Sequence, residues 1–319
     1  MLRRVWQATM IRLAGNGRVK NFMQSRTTMS QLATRYVGGI SAADAVEIAQ
    51  GLARQHVRSS LFYLGEYVNT PELVERNVEN KLAAIDVLKA ADLDIHVSID
   101  PTQIGFSIDR ETARRNAQIV ADRLKSAAAG RPGVHCLMID MEDPTVTTAT
   151  IALHDELLDQ GYPVGQTLQA FLKRTETDVR RKIDQGGKVR LVRGAFVAGS
   201  AIAYTRLADV KANYLALARL MLSRDAKARG FYPIFATHDD VLHEQIMVVA
   251  RQCGWRQGEY EFEMLYGARP DVTEHLVRRG ERVRLYLPFG TDWWPYAIRR
   301  IGENPRNAYL LAKAILARR

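Results

Sequence analysis

Eight short apolar runs recur along this chain, and each is followed by a stretch with helical spacing. The runs are 60–65, 95–100, 136–141, 163–169, 189–194, 232–238, 260–266 and 283–289. Apolar periodicity predicts helices over 71–91, 109–129, 145–160, 175–185, 205–229, 239–252 and 270–280, and a last one over 292–317. An earlier helix over 42–55 has Ser41 as its N-cap. Strict alternation of strand and helix implies a parallel sheet, and eight such units lead to a closed (β/α)8 barrel. An open doubly wound sheet has the same order of elements, but it would carry a G-x-G-x-x-G turn after its first strand. Here Gly15-Asn-Gly17 precedes the first strand and lacks the third glycine, and no Walker A sequence occurs.

Charge divides the 319 residues unevenly. The net charge is +10, yet no acidic residue precedes Asp44, and seven basic residues do (Arg3, Arg4, Arg12, Arg18, Lys20, Arg26 and Arg35). Residues 1–40 are therefore a basic N-terminal arm closed by Gly38-Gly39, and 41–319 are a nearly neutral body. Nucleic-acid binders carry their charge on the folded body, interleaved with aromatics, so none is expected as a partner. The simplest reading of the arm is an N-terminal helix packed on the body. Leu2, Val5, Trp6 and Leu13 among arginines also make it mildly amphipathic, which suits contact with anionic lipid; an acid-free, Arg-containing start is likewise a transit-peptide pattern. No apolar run approaches the roughly 18 residues that span a bilayer. Cys136 and Cys253 match no metal spacing and read as reduced thiols of a reducing, cytoplasmic compartment.

In a barrel of this kind, chemistry sits at the C-terminal strand ends. Those ends carry Glu66, Asp100, Asp140 with Glu142, Gln169, Arg193-Gly194, Thr237-His238, Leu265-Tyr266 and Tyr286. Just beyond the last strand, Arg299 and Glu303 are four apart on one helix face, with Arg300 beside them. Two adjacent guanidiniums repel unless an anion lies between them, and their donor forks match a carboxylate or phosphate. One reading of the rim is a metal site built from Asp100, Asp140, Glu142 and His238. The other is a large anionic cofactor. Strand alternation sends one of Arg190 and Arg193 into the barrel mouth and the other away, and an inward arginine needs an anion or an electron-rich ring. An internal Arg190–Asp140 ion pair with no ligand would also satisfy it.

The chain resembles the proline dehydrogenase family, in its monofunctional bacterial type. The resemblance rests on Leu64-Gly-Glu-Tyr-Val68, Thr102-Gln-Ile-Gly105, Ile139-Asp-Met-Glu-Asp143, Gln166 through Thr175, Val189-Arg-Leu-Val-Arg-Gly-Ala195, Phe235-Ala-Thr-His-Asp239, Glu261 through Gly267 and Tyr286 through Glu303, in the right order from about residue 35 onward. It implies an α/β fold with a distorted (β/α)8 TIM-type barrel, FAD at the strand ends, and oxidation of L-proline to 1-pyrroline-5-carboxylate. A hydride would pass to flavin N5 and the electrons onward to a quinone or similar acceptor. Asp140 and Arg190 would be catalytic. Met141, Gln169, Arg190, Val192, Arg193, Gly194, Ala195, Thr237, His238 and Glu303 would hold the cofactor. Asp100, Leu265, Tyr286, Tyr296, Arg299 and Arg300 would surround the substrate. No metal is implied.

Three positions depart from the family pattern. Asp100 stands where the family usually has a lysine that meets the substrate carboxylate, Arg193 replaces a lysine, and Phe196 replaces a tyrosine. Two carboxylates placed together push one pKa up. Asp100 beside Asp140 is thus expected to weaken carboxylate binding, and a different cyclic or secondary amine is the alternative substrate. A barrel that binds flavin or an amino acid without turnover is the non-enzymatic alternative.

Overall fold

A computed structural model of the chain describes residues 35–65, 68, 70–196 and 198–303, except for the side chains of Ile298, Arg299 and residues 301–303. Helix α1 (Ala42–Ala53) leads into β1 (Val57–Tyr63), α2 (Pro71–Ala90), β2 (His96–Ile99), α3 (Arg110–Ala128), β3 (Cys136–Ile139) and α4 (Thr147–Asp159). Then come β4 (Val164–Gln169), α5 (Thr175–Asp184), β5 (Lys188–Val192), α6 (Leu207–Met221), α7 (Arg224–Ala228) and β6 (Tyr232–Ala236). The described residues end with α8 (Asp240–Gln252), β7 (Glu261–Leu265), α9 (Pro270–Arg278), β8 (Val283–Phe289) and α10 (Trp293–Glu303).

The eight strands form a closed barrel in chain order, every pair parallel, and β8 returns to β1 from Val283↔Val57 to Phe289↔Tyr63. Polar side chains start many of the helices. Ser41 and Asp44 form a reciprocal capping box on α1, and Thr70, Asp109, Ser223 and Asp239 accept from backbone amides of the helices they precede. Each satisfies an amide that has no partner inside the helix, worth about 1 kcal/mol. The outward strand faces and the helices enclose the apolar core. Val97, Ile99, Leu137 and Ile139 pack there with Ile85, Leu88, Val120 and Leu124, and on the far side Leu217, Met221 and Ile246 pack with Leu191, Phe235 and Phe262.

The barrel interior is filled, and much of the filling is charged. Arg284, wholly buried, donates to Glu261 Oε1 at 2.8 Å, Asp94 Oδ2 at 3.0 Å and the Ser59 carbonyl at 2.8 Å, and Arg58 also pairs with Asp94. Close packing shows at Gly165, where a Cβ would stand 2.8 Å from Met138 Cε and 2.9 Å from Cys136 Sγ. A second buried cluster lies outside the barrel wall, where Lys182 of α5 pairs with Asp155 and meets His154 Nδ1 of α4 at 2.7 Å.

Three boundaries differ from the sequence reading. β1 starts at Val57 rather than 60, because Arg58 and Ser59 are paired inside the barrel and break the apolar pattern without breaking the strand. The helix expected over 205–229 is two, since the Ser223 hydroxyl accepts from the Ala226 amide at 3.1 Å and starts a new helix. Within the arm read as 1–40, Tyr36 and Val37 are buried, and the Gly38 amide donates to the Pro288 carbonyl at 2.7 Å. Residues 1–34 of the arm, and the last part of the helix expected over 292–317, lie outside the described residues.

Candidate active site

The C-terminal mouth of the barrel is organised by Arg190. Its neighbours on β5, Val189 and Leu191, pack outward in the core, so strand alternation turns Arg190 inward, where it is 3% exposed. The guanidinium uses its fork fully. Nε donates to Thr167 Oγ1 at 3.0 Å, one terminal nitrogen to Glu263 Oε1 at 2.7 Å, and the other to Ser98 Oγ at 3.2 Å and to Asp140 Oδ1. Five strands therefore meet at one cation. Burial alone would make that charge costly; Asp140 and Glu263 raise the arginine's pKa above its ordinary value, so it stays charged. The ion pair with Asp140 foreseen as a way to satisfy Arg190 is thus present, within a larger network.

Asp140 also accepts from Thr167 Oγ1 at 2.7 Å and from the Tyr286 hydroxyl at 3.2 Å. The Arg190 guanidinium carbon lies 5.2 Å from the centre of the Tyr286 ring, which in turn packs against Phe62 at 5.2 Å. Arginine, carboxylate and ring are thereby locked together, and a cation–π contact of this kind adds about 1 kcal/mol or more when desolvated. Burial, with Asp140 and Asp100 nearby, pushes the Tyr286 phenol well above its ordinary pKa, so it remains a hydrogen-bond donor. Above it on α10, the Arg300 guanidinium carbon lies 5.4 Å from the Tyr296 ring centre.

The other expected residues occupy the rim in different ways. Gln169 is buried at the end of β4 and donates to the Glu142 carbonyl at 2.9 Å. Gly194 has φ +96°, and a Cβ there would stand 2.2 Å from Phe171 Cδ1, so only glycine lets the backbone pass. Val192 and Thr237 are half-buried, while Arg193 and Ala195 are exposed. Arg193 thus points away from the interior that Arg190 occupies. His238 Nε2 accepts the Leu265 amide at 3.0 Å, and burial, with Arg300 next in effect, pushes the imidazole down to about 4. It is neutral and fixes the start of the β7 exit loop at half-buried Leu265. The Met141 side chain is buried in the core with Ile151 and Leu168, on the helix side of the wall, so a rim contact there would use its backbone. Tyr296 is buried. The side chains of Arg299 and Glu303, and residue Glu66, lie outside the described residues.

Sequence reasoning missed Glu263, Thr167 and Ser98, which complete the shell of Arg190, and Lys81. Strand alternation alone would have found the first three, since each sits on an inward position near a strand end. Among the described residues no group of three or more His, Cys, Asp and Glu side chains could hold a metal ion. Two of the three carboxylates of the proposed metal set are used elsewhere: Asp140 on Arg190, and Glu142 on the Thr102 amide and hydroxyl at 2.9 and 2.5 Å.

Comparison with known proteins then decides the family. The proline dehydrogenase family profile matches residues 45–313. The chain belongs to the proline dehydrogenase family. Proline dehydrogenase of Deinococcus radiodurans is 33% identical over 294 residues, covering 92% of each chain. Proline dehydrogenase 1 of Bacillus subtilis strain 168 is 30% identical over 284 residues, 89% of this chain and 90% of its own. Among solved structures, proline utilization A of Bdellovibrio bacteriovorus, inactivated by N-propargylglycine, superposes with a TM-score of 0.74 at 21% identity. It covers 91% of this chain, which spans only about a third (34%) of that longer protein, and the likeness shows the shared barrel. Membership makes the protein an FAD-dependent amino-acid dehydrogenase. The donor set fits that cofactor. The Arg190 guanidinium is buried at the mouth and stays charged, Gly194 takes a φ of +96° that lets Phe171 and Gln169 pack against the rim, and Arg193 is an exposed cation of the kind that would pair with a pyrophosphate.

Proposed function

We propose that the protein oxidises L-proline to 1-pyrroline-5-carboxylate. The observation that supports this most directly is the fixed cation at the mouth: Arg190, held by Asp140 and Glu263 and covered by Tyr286. FAD, when bound, supplies the two-electron acceptor, taking a hydride at N5. The chain's own residues then position and polarise. Arg190 places positive charge where negative charge develops on the cofactor, and it needs no reorganisation because its four partners already hold it. Gln169, Gly194, Thr237 and His238 line the cofactor edge, with Val192, Arg193, Ala195, the Met141 backbone and Glu303 around it.

Arg299 and Arg300 clamp the substrate carboxylate, while Tyr286, Tyr296 and Leu265 pack on the ring. Holding the ring carbon in line with the acceptor is worth several orders of magnitude in rate. The carbon next to nitrogen loses its hydrogen with the bonding pair, a C=N bond forms, and the N–H proton leaves to solvent. The electrons pass on to a quinone or similar acceptor. Among the described residues no helix is long and apolar enough to cross a membrane. The basic arm of residues 1–40 would bring the protein to the anionic inner face of a membrane from the cytoplasm, where such an acceptor resides.

The test is anaerobic addition of L-proline to the purified flavoprotein. Bleaching of the flavin band, with pyrroline carboxylate formed in equal amount, supports the reading. Flavin that stays oxidised with proline but is bleached by another cyclic amine transfers the assignment to that amine.

A further inference from the structure

Beneath the rim, around Asp100, buried carboxylates outnumber buried cations. Ile99 and Ile139 stand opposite each other in the β2–β3 ladder, and the Asp140 amide donates to the Ile99 carbonyl at 2.8 Å. Asp100 and Asp140 therefore leave adjacent strands at one level, their backbones about 5 Å apart. Alternation turns Asp100 inward, on the face that Ser98 uses to reach Arg190. Four carboxylates gather here. Asp140 and Glu263 are paired with Arg190, and Glu142 is held by Thr102. Asp100 is the fourth, and no hydrogen-bond donor among the described residues reaches its carboxyl. The buried cations are Arg190 and Lys81. Lys81, on α2, is wholly buried, donates to Gln103 Oε1 at 2.8 Å and lies 5.7 Å from the Tyr63 ring centre.

With every group ionised this cluster would carry two excess negative charges before an anionic substrate entered. A single proton on the half-buried Asp100 carboxyl, which no cation among the described residues pairs by hydrogen bond, relieves the repulsion and gives it an O–H to donate. Resting on the amino-acid reading above, we infer that Asp100 meets the substrate carboxylate as a neutral acid, donating its O–H where a lysine is usual in the family. Asp100 is then a specificity-determining residue whose proton replaces the missing ammonium.

The groups facing Asp100 agree. Burial, then Asp140 and Glu142, push its carboxyl well above the usual range, against the opposing pull of Lys81 on α2 and Arg190 on β5. Burial pushes Lys81 itself down to about 7, so it is a weak counter-charge. From β8, Tyr286 stays protonated, and on α10 the Arg300 guanidinium carbon lies 5.4 Å from the Tyr296 ring centre. The neutral acid exists below the raised pKa and is lost as pH rises through it. Affinity for a carboxylate ligand should therefore fall about tenfold per pH unit above that point, with one proton taken up on binding.

The experiment uses the holoenzyme and tetrahydro-2-furoate, a cyclic carboxylate without the amine. Flavin difference spectra give affinity between about pH 6 and pH 9, and calorimetry in two buffers of different ionisation enthalpy gives proton uptake. Wild type should take up a proton at the alkaline end. Asp100→Asn, which donates N–H at every pH, should bind with similar affinity, no uptake and a flattened profile, and Asp100→Ala should bind weakly throughout. Wild-type binding without proton uptake, or an Asp100→Asn protein that keeps the full pH slope, overturns the inference alone. A wild type that binds no cyclic carboxylate and is not reduced by proline at any pH overturns the substrate reading and the inference together. The wild-type calorimetry decides even where a variant fails to fold.

Discussion

Replacing Arg190 by methionine tests the organising role of the buried network. The change removes one guanidinium and leaves Asp140 and Glu263 in the barrel without their cation. Removing one partner of a buried pair costs about 3–5 kcal/mol, whereas replacing a whole pair by apolar groups is often neutral. The expected loss is therefore several kcal/mol, a fall in melting temperature of roughly 10 °C for a chain of this size. The sign of its pH dependence follows from Glu263. Burial already raises that carboxyl's pKa, and Arg190 is the main influence holding it down. Without Arg190 the folded-state pKa rises further above the unfolded value. A raised pKa contributes stability that is complete at low pH and is lost as pH rises through it. The defect should thus be smaller near about pH 5 than near about pH 8, by about 1.4 kcal/mol for each unit of added shift. Urea unfolding followed by circular dichroism at both pH values measures this. A loss below about 1 kcal/mol, or an equal loss at both pH values, would refute the claim that Arg190 neutralises these carboxylates.

Other changes separate site from scaffold. Gly194→Ala places a Cβ 2.2 Å from Phe171 at φ +96°, which must shift the rim, so flavin content after purification should drop several-fold while the far-ultraviolet spectrum is kept; full flavin occupancy would show that the rim packing at Phe171 does not govern cofactor binding. Lys182→Met removes the buried cation shared by Asp155 and His154, leaving Asp155 only the largely exposed Arg181 as a cationic partner, and should cost about 1–3 kcal/mol without moving KM for proline; an altered KM would show that the outer cluster reaches the site. Asp100→Lys restores a permanent cation at the rim and should raise kcat/KM for proline above neutral pH; unchanged or lower turnover would count against the placement of Asp100. His238, held neutral with a pKa of about 4, should contribute no break to the pH–rate profile between about pH 6 and pH 9, and Thr237 with His238→Asn should keep the same profile shape.

Most of the fold was legible because a buried parallel strand leaves a simple record. Runs such as Val97 to Ile99 and Cys136 to Ile139 are apolar on one face and bounded by turn residues, and the eightfold repeat of strand and helix admits few closures. Legibility failed where charge is buried. Arg58, Glu261, Glu263 and Arg284 read as surface residues in sequence, yet all but half-buried Arg58 are almost wholly enclosed. Their partners come from strands far apart in the chain: Arg284 meets Asp94, and Arg190 meets Ser98 and Glu263. Spacing cannot report such long-range pairs. Lys81 was invisible for the same reason, since on α2 it looks like any solvated helix lysine until Gln103, in the turn after β2, accepts from it. The strand-end residues fared better, because closure brings those positions together whatever the side chains are. Met141 shows the limit of that rule: one position past β3, its side chain turned to the core while Asp140 kept the mouth.

The central claim is that this mouth binds FAD and passes electrons from proline to it. The most direct measurement is the anaerobic visible spectrum of the purified protein before and after L-proline. A flavin band that bleaches with proline, and returns when a quinone is added, is the predicted result. A protein that takes up no FAD, or whose flavin stays oxidised with proline at every pH, would contradict it.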